Sequence, residues 1–274
     1  MIVLERAHAK LNLTLGVLLR RADGYHEIDT LMQSVDLHDK IQIEKSRKVE
    51  VFAQGMELPL ENTMYLAAKR YQKRTGCGAL IRCEKHIPME AGLGGGSADA
   101  AAVLRGLQKL HRMVSDKELL SIALSVGADV PFCLRGGLAR CQGVGEVLTP
   151  FAAAGPLHFV LAKPPQGVST RTLYAALPLP RPRVRTLAAM RELAQGDAAG
   201  LAPLLYNALE EPAIAILPEI ETYKKRLLDA GALTAVMTGS GAAVFGLFAS
   251  QEAAKRAEAE LADLHWVRYC SSII

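Results

Sequence analysis

The amino-acid sequence predicts an α+β protein in which helices lie on one face of the sheets. Short segments rich in valine, isoleucine and leucine make up most of the first third of the chain. Helical apolar spacing follows, and the chain closes with two strands, a helix and a strand. The length and composition suit two domains, because 274 residues that are 50% hydrophobic can bury a substantial core.

In the first half, turn residues such as Asp23-Gly24 separate five strands. These strands are predicted over 2–8, 11–19, 28–37, 40–44 and 48–53. Asn62 is the expected cap of a helix that runs to Thr75, and a strand over 79–85 follows it. A capping box of Ser115 and Glu118 predicts a helix to about residue 126, and the chain returns as a strand over 134–141.

A shift to proline, alanine and glycine over residues 149–156 indicates a domain boundary. We therefore expect domains at 1–152 and 153–274. The second begins with a strand over 157–162 and continues with several helices between residues 170 and 230. Two strands, over 233–237 and 243–248, bracket Thr238-Gly-Ser-Gly241. A helix over 251–264 and a strand over 265–271 complete it.

The net charge and the cysteine content limit the classes of function that the protein can have. The net charge of +4 suits an anionic small molecule but is too dispersed for a nucleic-acid groove, so we expect no nucleic-acid partner. The five cysteines form no Cys-x-x-Cys pair and predict reduced thiols. Without a signal peptide or an apolar run of membrane length, the sequence predicts a cytoplasmic protein with no membrane partner.

The most informative segment is a glycine-rich loop that leads directly into a helix. Three consecutive glycines, Gly94 to Gly96, allow close backbone approach to an anion, and Ser97 stands where a helix cap is expected. Apolar residues at helical spacing follow from 98 to 111. A flexible turn that merely caps a helix is the alternative, but the combination favours phosphate bound at the helix N-terminus.

Three further segments carry polar residues that could take part in catalysis or binding. Lys10 and Asn12 interrupt an apolar strand on one face, where a lysine needs an anion unless it extends to solvent. Asp129 precedes Val-Pro, so it is either a helix or turn cap or a carboxylate for an acceptor hydroxyl. Tyr25 and His26 form either a surface turn or a surface that stacks on a heterocycle.

In combination and order, these segments resemble the GHMP kinases. The motifs are Ala9-Lys10-Leu-Asn12-Leu, Asp23-Gly-Tyr-His-Glu27, Gly92-Leu-Gly-Gly-Gly-Ser97, Gly127-Ala-Asp129-Val-Pro-Phe132, Ala162-Lys-Pro-Pro-Gln-Gly-Val-Ser-Thr170 and Gly239-Ser-Gly241. The resemblance implies a two-domain fold, with an N-terminal domain like ribosomal protein S5 domain 2 and a ferredoxin-like C-terminal domain. It also implies transfer of the γ-phosphate of ATP, with Mg²⁺, to an alcohol.

The Gly-Tyr-His-Glu segment is most similar to the branch of the family that phosphorylates the 2-hydroxyl of a cytidine diphosphate-linked methylerythritol, in non-mevalonate isoprenoid synthesis. The resemblance assigns catalysis to Asp129 and its partner Lys10, and cytosine binding to Tyr25, His26 and Tyr174. Further substrate contacts are implied for Asn12, Thr170, Gly239 and Ser240. ATP binding is implied for Pro88, Met89, Glu90, Ala91, Gly92, Leu93, Gly94, Gly95, Gly96, Ser97 and Ala98.

The sequence indicates no metal ligands of its own beyond Mg²⁺ that arrives with ATP, and a monomer or homodimer is expected. Two other functions stay open. One is a kinase of the same family that acts on another small alcohol, for which an aromatic base clamp would have no use. The other is a nucleotide-binding regulator that keeps the fold without catalysis, against which the intact Lys10 and Asp129 argue.

Overall fold

The computed structural model of the protein describes residues 1–178 and 185–274. The chain forms two compact units that interleave along the sequence. Unit 1 comprises Met1–Lys10, Leu37–Pro88 and Gly94–Gly136, and unit 2 comprises Leu11–Asp36, Met89–Leu93 and Gly137–Ile274. Strands and helices are present in both units, which confirms the predicted α+β class.

Two long strands, β1 (Ile2–Arg20) and β2 (His26–Ser46), contribute residues to both units. The sequence predicted a break in each strand, and this prediction was wrong. In β1 the break was expected at residues 9 and 10, yet residues 9–17 form one continuous buried run. A strand buried on both faces loses the alternation that marks strand ends in a sequence, so its length is hidden.

Unit 1 adds β3 (Glu50–Ala53) and β4 (Gly78–Glu84), in the sheet order β3-β4-β2-β1. Strand β4 runs antiparallel to β2, with Lys40 opposite Glu84. The helices of unit 1 are α1 (Thr63–Thr75), α2 (Gly95–His111), α3 (Asp116–Val126) and α4 (Val130–Arg135). Asn62 caps α1 and the Ser115–Glu118 capping box opens α3, as predicted.

Helix α4 was not predicted, because residues 134–141 were expected to be a strand. Pro131 lies in its first turn, where the missing proline N–H costs no helical hydrogen bond. The helix ends at Arg135, and strand β5 (Leu138–Gly143) begins only after Gly136 and Gly137, both at positive φ. A six-residue helix is too short to show a periodicity in sequence.

Unit 2 contains β5, which pairs antiparallel with β2 and with β6 (Val147–Phe151), and β8 (Tyr206–Asn207), which pairs parallel with β1. Its second sheet has the antiparallel order β11-β7-β10-β9. These strands are β7 (His158–Lys163), β9 (Thr234–Met237), β10 (Val244–Phe248) and β11 (Trp266–Ser271).

The helices of unit 2 are α5 (Thr170–Ala176), α6 (Thr186–Gln195), α7 (Ala198–Leu201), α8 (Glu210–Ile216), α9 (Glu219–Asp229) and α10 (Gln251–Glu260). A 3-10 turn (Ala202–Leu204) follows α7. Leu15, Val17 and Ile28 from the first part of the chain join Val160 and Val244 in one hydrophobic core. Unit 2 is therefore held together by residues far apart in sequence.

Two general properties follow from the described residues. All five cysteines carry free thiols, and four of them are buried. Across the described parts of the chain, the helices lack the combination of length and apolar character that crossing a bilayer requires. The expected boundary between residues 152 and 153 stays a prediction.

Candidate functional site

In unit 1, Lys10 lies on β1 with only 5% of its side chain exposed. Its ammonium nitrogen Nζ is 3.4 Å from Oδ2 of Asp129, so the buried cation has the anionic partner that its burial requires. A lysine that extends to solvent would be far more exposed, so that alternative for Lys10 is wrong. The structure brings together the two residues to which the family resemblance assigns catalysis.

Asp129 occupies the position before α4, yet its side chain makes no capping hydrogen bond to that helix. Its carboxylate faces Lys10 and is 30% exposed. A capping aspartate would use its oxygens on the first backbone N–H groups of the helix. The geometry thus favours a carboxylate directed at the lysine and at solvent, where a substrate hydroxyl could reach it.

The second half of the glycine-rich loop lies beside this pair. Gly94 has a φ of 70°, and a β-carbon there would lie 2.9 Å from Cγ of Lys10. The aliphatic part of Lys10 therefore packs directly on the bare backbone of Gly94. Only glycine accommodates both this dihedral angle and this contact.

Helix α2 begins at Gly95, three residues earlier than predicted, with Gly94 rather than Ser97 as its N-cap. The left-handed conformation of Gly94 starts the helix without a side-chain cap, so Ser97 lies in the first turn. The first helical bond runs from the N–H of Ala98 to the carbonyl of Gly94 at 2.8 Å. The preceding N–H groups have no helical acceptor, and such groups bind anions.

In unit 2, the first half of the loop packs on the Thr238–Gly241 turn. The N–H of Ala243 donates to the carbonyl of Ala91 at 3.2 Å. Gly92 has a φ of 72°, and a β-carbon there would lie 2.2 Å from the carbonyl oxygen of Thr238. Gly92 is therefore required by both its backbone conformation and this close contact.

Asn207 was missed by sequence reasoning, although it holds the same turn. Its side-chain amide donates to the carbonyls of Met237 and Gly239, each at 2.8 Å. Thr238 adds a second link, since its hydroxyl accepts from the N–H of Asn12 at 2.9 Å. Asn207 lies far from the turn in sequence and belongs to no local motif, so no sequence signal indicated its role.

The residues proposed for the substrate also lie in unit 2. The rings of His26 and Tyr174 have centroids 4.7 Å apart and are tilted by 37°. Tyr25, on the adjacent turn, is 63% exposed. The hydroxyls of Thr170 and Ser240 are 2.7 Å apart. The structure thus pairs His26 with Tyr174, and Thr170 with Ser240.

Burial lowers the pKa of His26 below its ordinary value, and the nearby Arg20 lowers it further. The imidazole is therefore neutral at physiological pH, with one N–H donor and one nitrogen acceptor. Such a group is suited to hydrogen bonding with the edge of a nucleobase.

Two family models match the chain. The GHMP kinases N terminal domain matches residues 62–137, and the GHMP kinases C terminal domain matches residues 189–265. Together they cover more than half of the chain, which belongs to the GHMP kinases and has their two-domain fold.

The similarity to individual relatives is more specific. The 4-diphosphocytidyl-2-C-methyl-D-erythritol kinase of Caldicellulosiruptor saccharolyticus is 44% identical over 261 residues, covering 92% of this chain and 90% of the relative. The same kinase of Pelotomaculum thermopropionicum is 44% identical over 268 residues, covering 94% and 93%. Within the GHMP kinases, the chain belongs to the 4-diphosphocytidyl-2-C-methyl-D-erythritol kinase family.

Solved structures agree with this placement. A crystal structure of 4-(cytidine 5'-diphospho)-2C-methyl-D-erythritol kinase aligns with a TM-score of 0.87 and 37% identity, covering 98% of this chain and 99% of the other. Homoserine kinase from Cytophaga hutchinsonii aligns with a TM-score of 0.77 at 21% identity, covering 100% of this chain and 95% of the other. That second likeness shows the fold alone.

Proposed function

We propose that the protein transfers the γ-phosphate of ATP to the 2-hydroxyl of 4-diphosphocytidyl-2-C-methyl-D-erythritol, which gives the 2-phosphate and ADP. It is thus a phosphotransferase with an alcohol acceptor, in the non-mevalonate route to isoprenoid precursors. The observation that carries the proposal is the Lys10–Asp129 pair beside Gly94, in a chain 44% identical to kinases of that name. We further propose that it acts in the cytoplasm, as a monomer or homodimer.

Asp129 orients the acceptor hydroxyl and provides a base within its reach. Lys10 fixes the carboxylate through their 3.4 Å contact and places a positive charge beside the glycine-rich loop. In phosphoryl transfer, positioning and charge neutralisation supply most of the rate enhancement. The pair therefore provides an orienting group for the nucleophile and a cation for the transferred phosphate.

The segment 88–98 is the proposed ATP-binding loop. The residues present fit a phosphate, because the N–H groups of Gly95, Gly96 and Ser97 precede the first helical bond of α2. Gly94 presents no side chain that would obstruct an anion there. Mg²⁺ that arrives with ATP neutralises charge on the phosphates. Ser97, in the first turn of α2, is the hydroxyl proposed to lie near that ion.

The proposed substrate contacts are those of unit 2. Tyr25 and Tyr174 stack on the cytosine, and neutral His26 hydrogen-bonds to its edge. Asn12, Thr170, Gly239 and Ser240 supply further polar contacts. The 63% exposure of Tyr25 leaves a ring surface available for stacking.

The test is a coupled assay of ADP release with Mg-ATP, in which the cytidylyl substrate is compared with mevalonate, homoserine and galactose. We expect turnover with the cytidylyl substrate alone. Turnover with another alcohol would retain Lys10 and Asp129 but reject the cytosine site. Absence of turnover with all four substrates, together with tight ATP binding, would instead support a nucleotide-binding regulator.

The variant Asp129→Asn should lose most turnover, by about 10²- to 10⁴-fold, because an amide cannot act as a base and carries no charge. MgATP binding should persist, since the loop is unchanged. Asp116→Asn is the matched control, because Asp116 is an exposed aspartate in the first turn of α3. Wild-type turnover in Asp129→Asn would show that the assigned role is wrong.

A further inference from the structure

Lys85 lies between two carboxylates in unit 1, immediately after β4 and three residues before Pro88. Its ammonium contacts Asp39 on β2 and lies 2.6 Å from Oδ2 of Asp99 on α2. The exposed side-chain fractions are 15% for Lys85, 0% for Asp39 and 4% for Asp99. These three charged groups form a buried ionic cluster, and none of them has a part in the chemistry described above.

Asp39 fixes the course of the chain towards the loop. One of its oxygens accepts from the N–H groups of His86 and Ile87, the latter at 2.8 Å, while the other contacts Lys85. Three consecutive residues are therefore held by one carboxylate. The segment that enters the glycine-rich loop is fixed in position by these bonds.

Asp99 is the fifth residue of α2, on the far side of the loop in sequence. Its contact with Lys85 therefore ties the segment before the loop to the helix after it. The loop backbone also packs against Lys85 and the neighbouring Ile87. A β-carbon on Gly95 would lie 3.1 Å from Cγ2 of Ile87 and 3.5 Å from Nζ of Lys85.

We propose that Lys85, held by Asp39 and joined to Asp99, is a positioning residue for nucleotide binding. It holds the N-terminus of α2 against the entering chain, so that the backbone N–H groups of Gly95, Gly96 and Ser97 keep the arrangement that receives phosphate. The proposal rests on the ATP-binding role assigned to this loop.

The charge balance of the cluster decides which variant is informative. Two carboxylates face one ammonium, and burial raises the pKa of Asp99 to about 7. Removing Lys85 would leave two buried carboxylates without a cation and could prevent folding. Asp99→Ala removes the Lys85–Asp99 ion pair but leaves the Lys85–Asp39 pair, in which one positive charge faces one negative charge. Asp99→Asn keeps an oxygen that can accept from Lys85.

The experiment measures MgATP dissociation by calorimetry and the KM values for ATP and for the cytidylyl alcohol. We expect Asp99→Ala to raise the dissociation constant and the KM for ATP by about tenfold, the scale of one lost charged hydrogen bond. The KM for the alcohol should stay unchanged. Asp99→Asn should restore ATP binding to within about threefold of wild type. Glu44→Gln is the control, since it breaks a partly exposed ion pair with Arg82 that also joins β2 to β4.

A purely structural role would lower the melting temperature of Asp99→Ala without a change in ATP affinity, and would overturn the proposal. Equal increases in both KM values would also overturn it. If Asp99→Asn binds ATP as poorly as Asp99→Ala, the proposed link from Lys85 to the retained side-chain oxygen of residue 99 is refuted. Failure of the wild-type protein to bind MgATP would instead refute the proposed function, so the two failures are distinguishable.

Discussion

Lys10 shows that a lysine within an apolar strand predicts an anionic partner. Burial of an ammonium is unfavourable unless an anion compensates it, and Asp129 supplies that anion at 3.4 Å. The strand pattern alone could therefore indicate that a buried Lys10 needs a partner. It could not select the partner, because residues 10 and 129 are brought together only by the fold.

His26 provides a prediction that depends on pH. Burial, assisted by Arg20, lowers its pKa, so the imidazole gains its proton only below its ordinary value of about 6.5. Protonation removes the nitrogen acceptor proposed for cytosine. We expect the KM for the cytidylyl substrate to be constant from about pH 7 to 8 and to rise as the pH falls below about 6.5.

Steady-state kinetics across this range would check the prediction for His26. The control is His26→Gln, which keeps a donor and an acceptor but does not titrate. The rise should disappear in that variant, and the KM for ATP should not follow the same curve in wild type. A midpoint above 6.5, or a persistent rise in His26→Gln, would contradict the proposed contact.

Elements whose ends are set by local chemistry were predicted well. Asn62 and Ser115 cap α1 and α3 through hydrogen bonds that span three residues, so the sequence alone contains the signal. Helix α2 was different. Gly94 starts it in a left-handed backbone conformation, and no side-chain cap marks that start in the sequence. Asn207 and Lys85 were missed for a related reason, as their partners lie at distant positions in the chain.

Gly94 allows a prediction on the junction between loop and helix. Gly94→Ala should cost about 1 kcal/mol of stability for a positive φ, and its new methyl group would displace the side chain of Lys10. We expect kcat to fall by about tenfold or more, as small displacements of catalytic groups do. Thermal unfolding and steady-state kinetics measure the two effects separately.

Gly231→Ala is the matched control for this junction. Gly231 also has a positive φ, of 91°, but a β-carbon there would meet nothing within 4 Å. It should lose similar stability and keep its activity. Equal activity loss in the two variants would show that backbone strain, rather than displacement of Lys10, explains the effect.

At the scale of the whole molecule, the sequence indicated the class and the family but not the interleaving of the units. Strands β1 and β2 each contribute to both units, and residues 11–36 belong to unit 2 although they precede most of unit 1. Composition shifts along a chain mark changes in local character. They do not show which distant segments pack in the same hydrophobic core.

This interleaving predicts how a fragment cut at the expected boundary should behave. A fragment of residues 153–274 lacks Leu15, Val17 and Ile28, which are buried in the core of unit 2 in the full chain. Burial of such side chains contributes about 1.5–3 kcal/mol each, on the scale of the total stability of a domain. We therefore expect the fragment to lack a cooperative unfolding transition in urea, whereas the full chain unfolds cooperatively. A fragment with a sharp transition and dispersed amide NMR signals would instead establish residue 153 as the start of an independently folding domain.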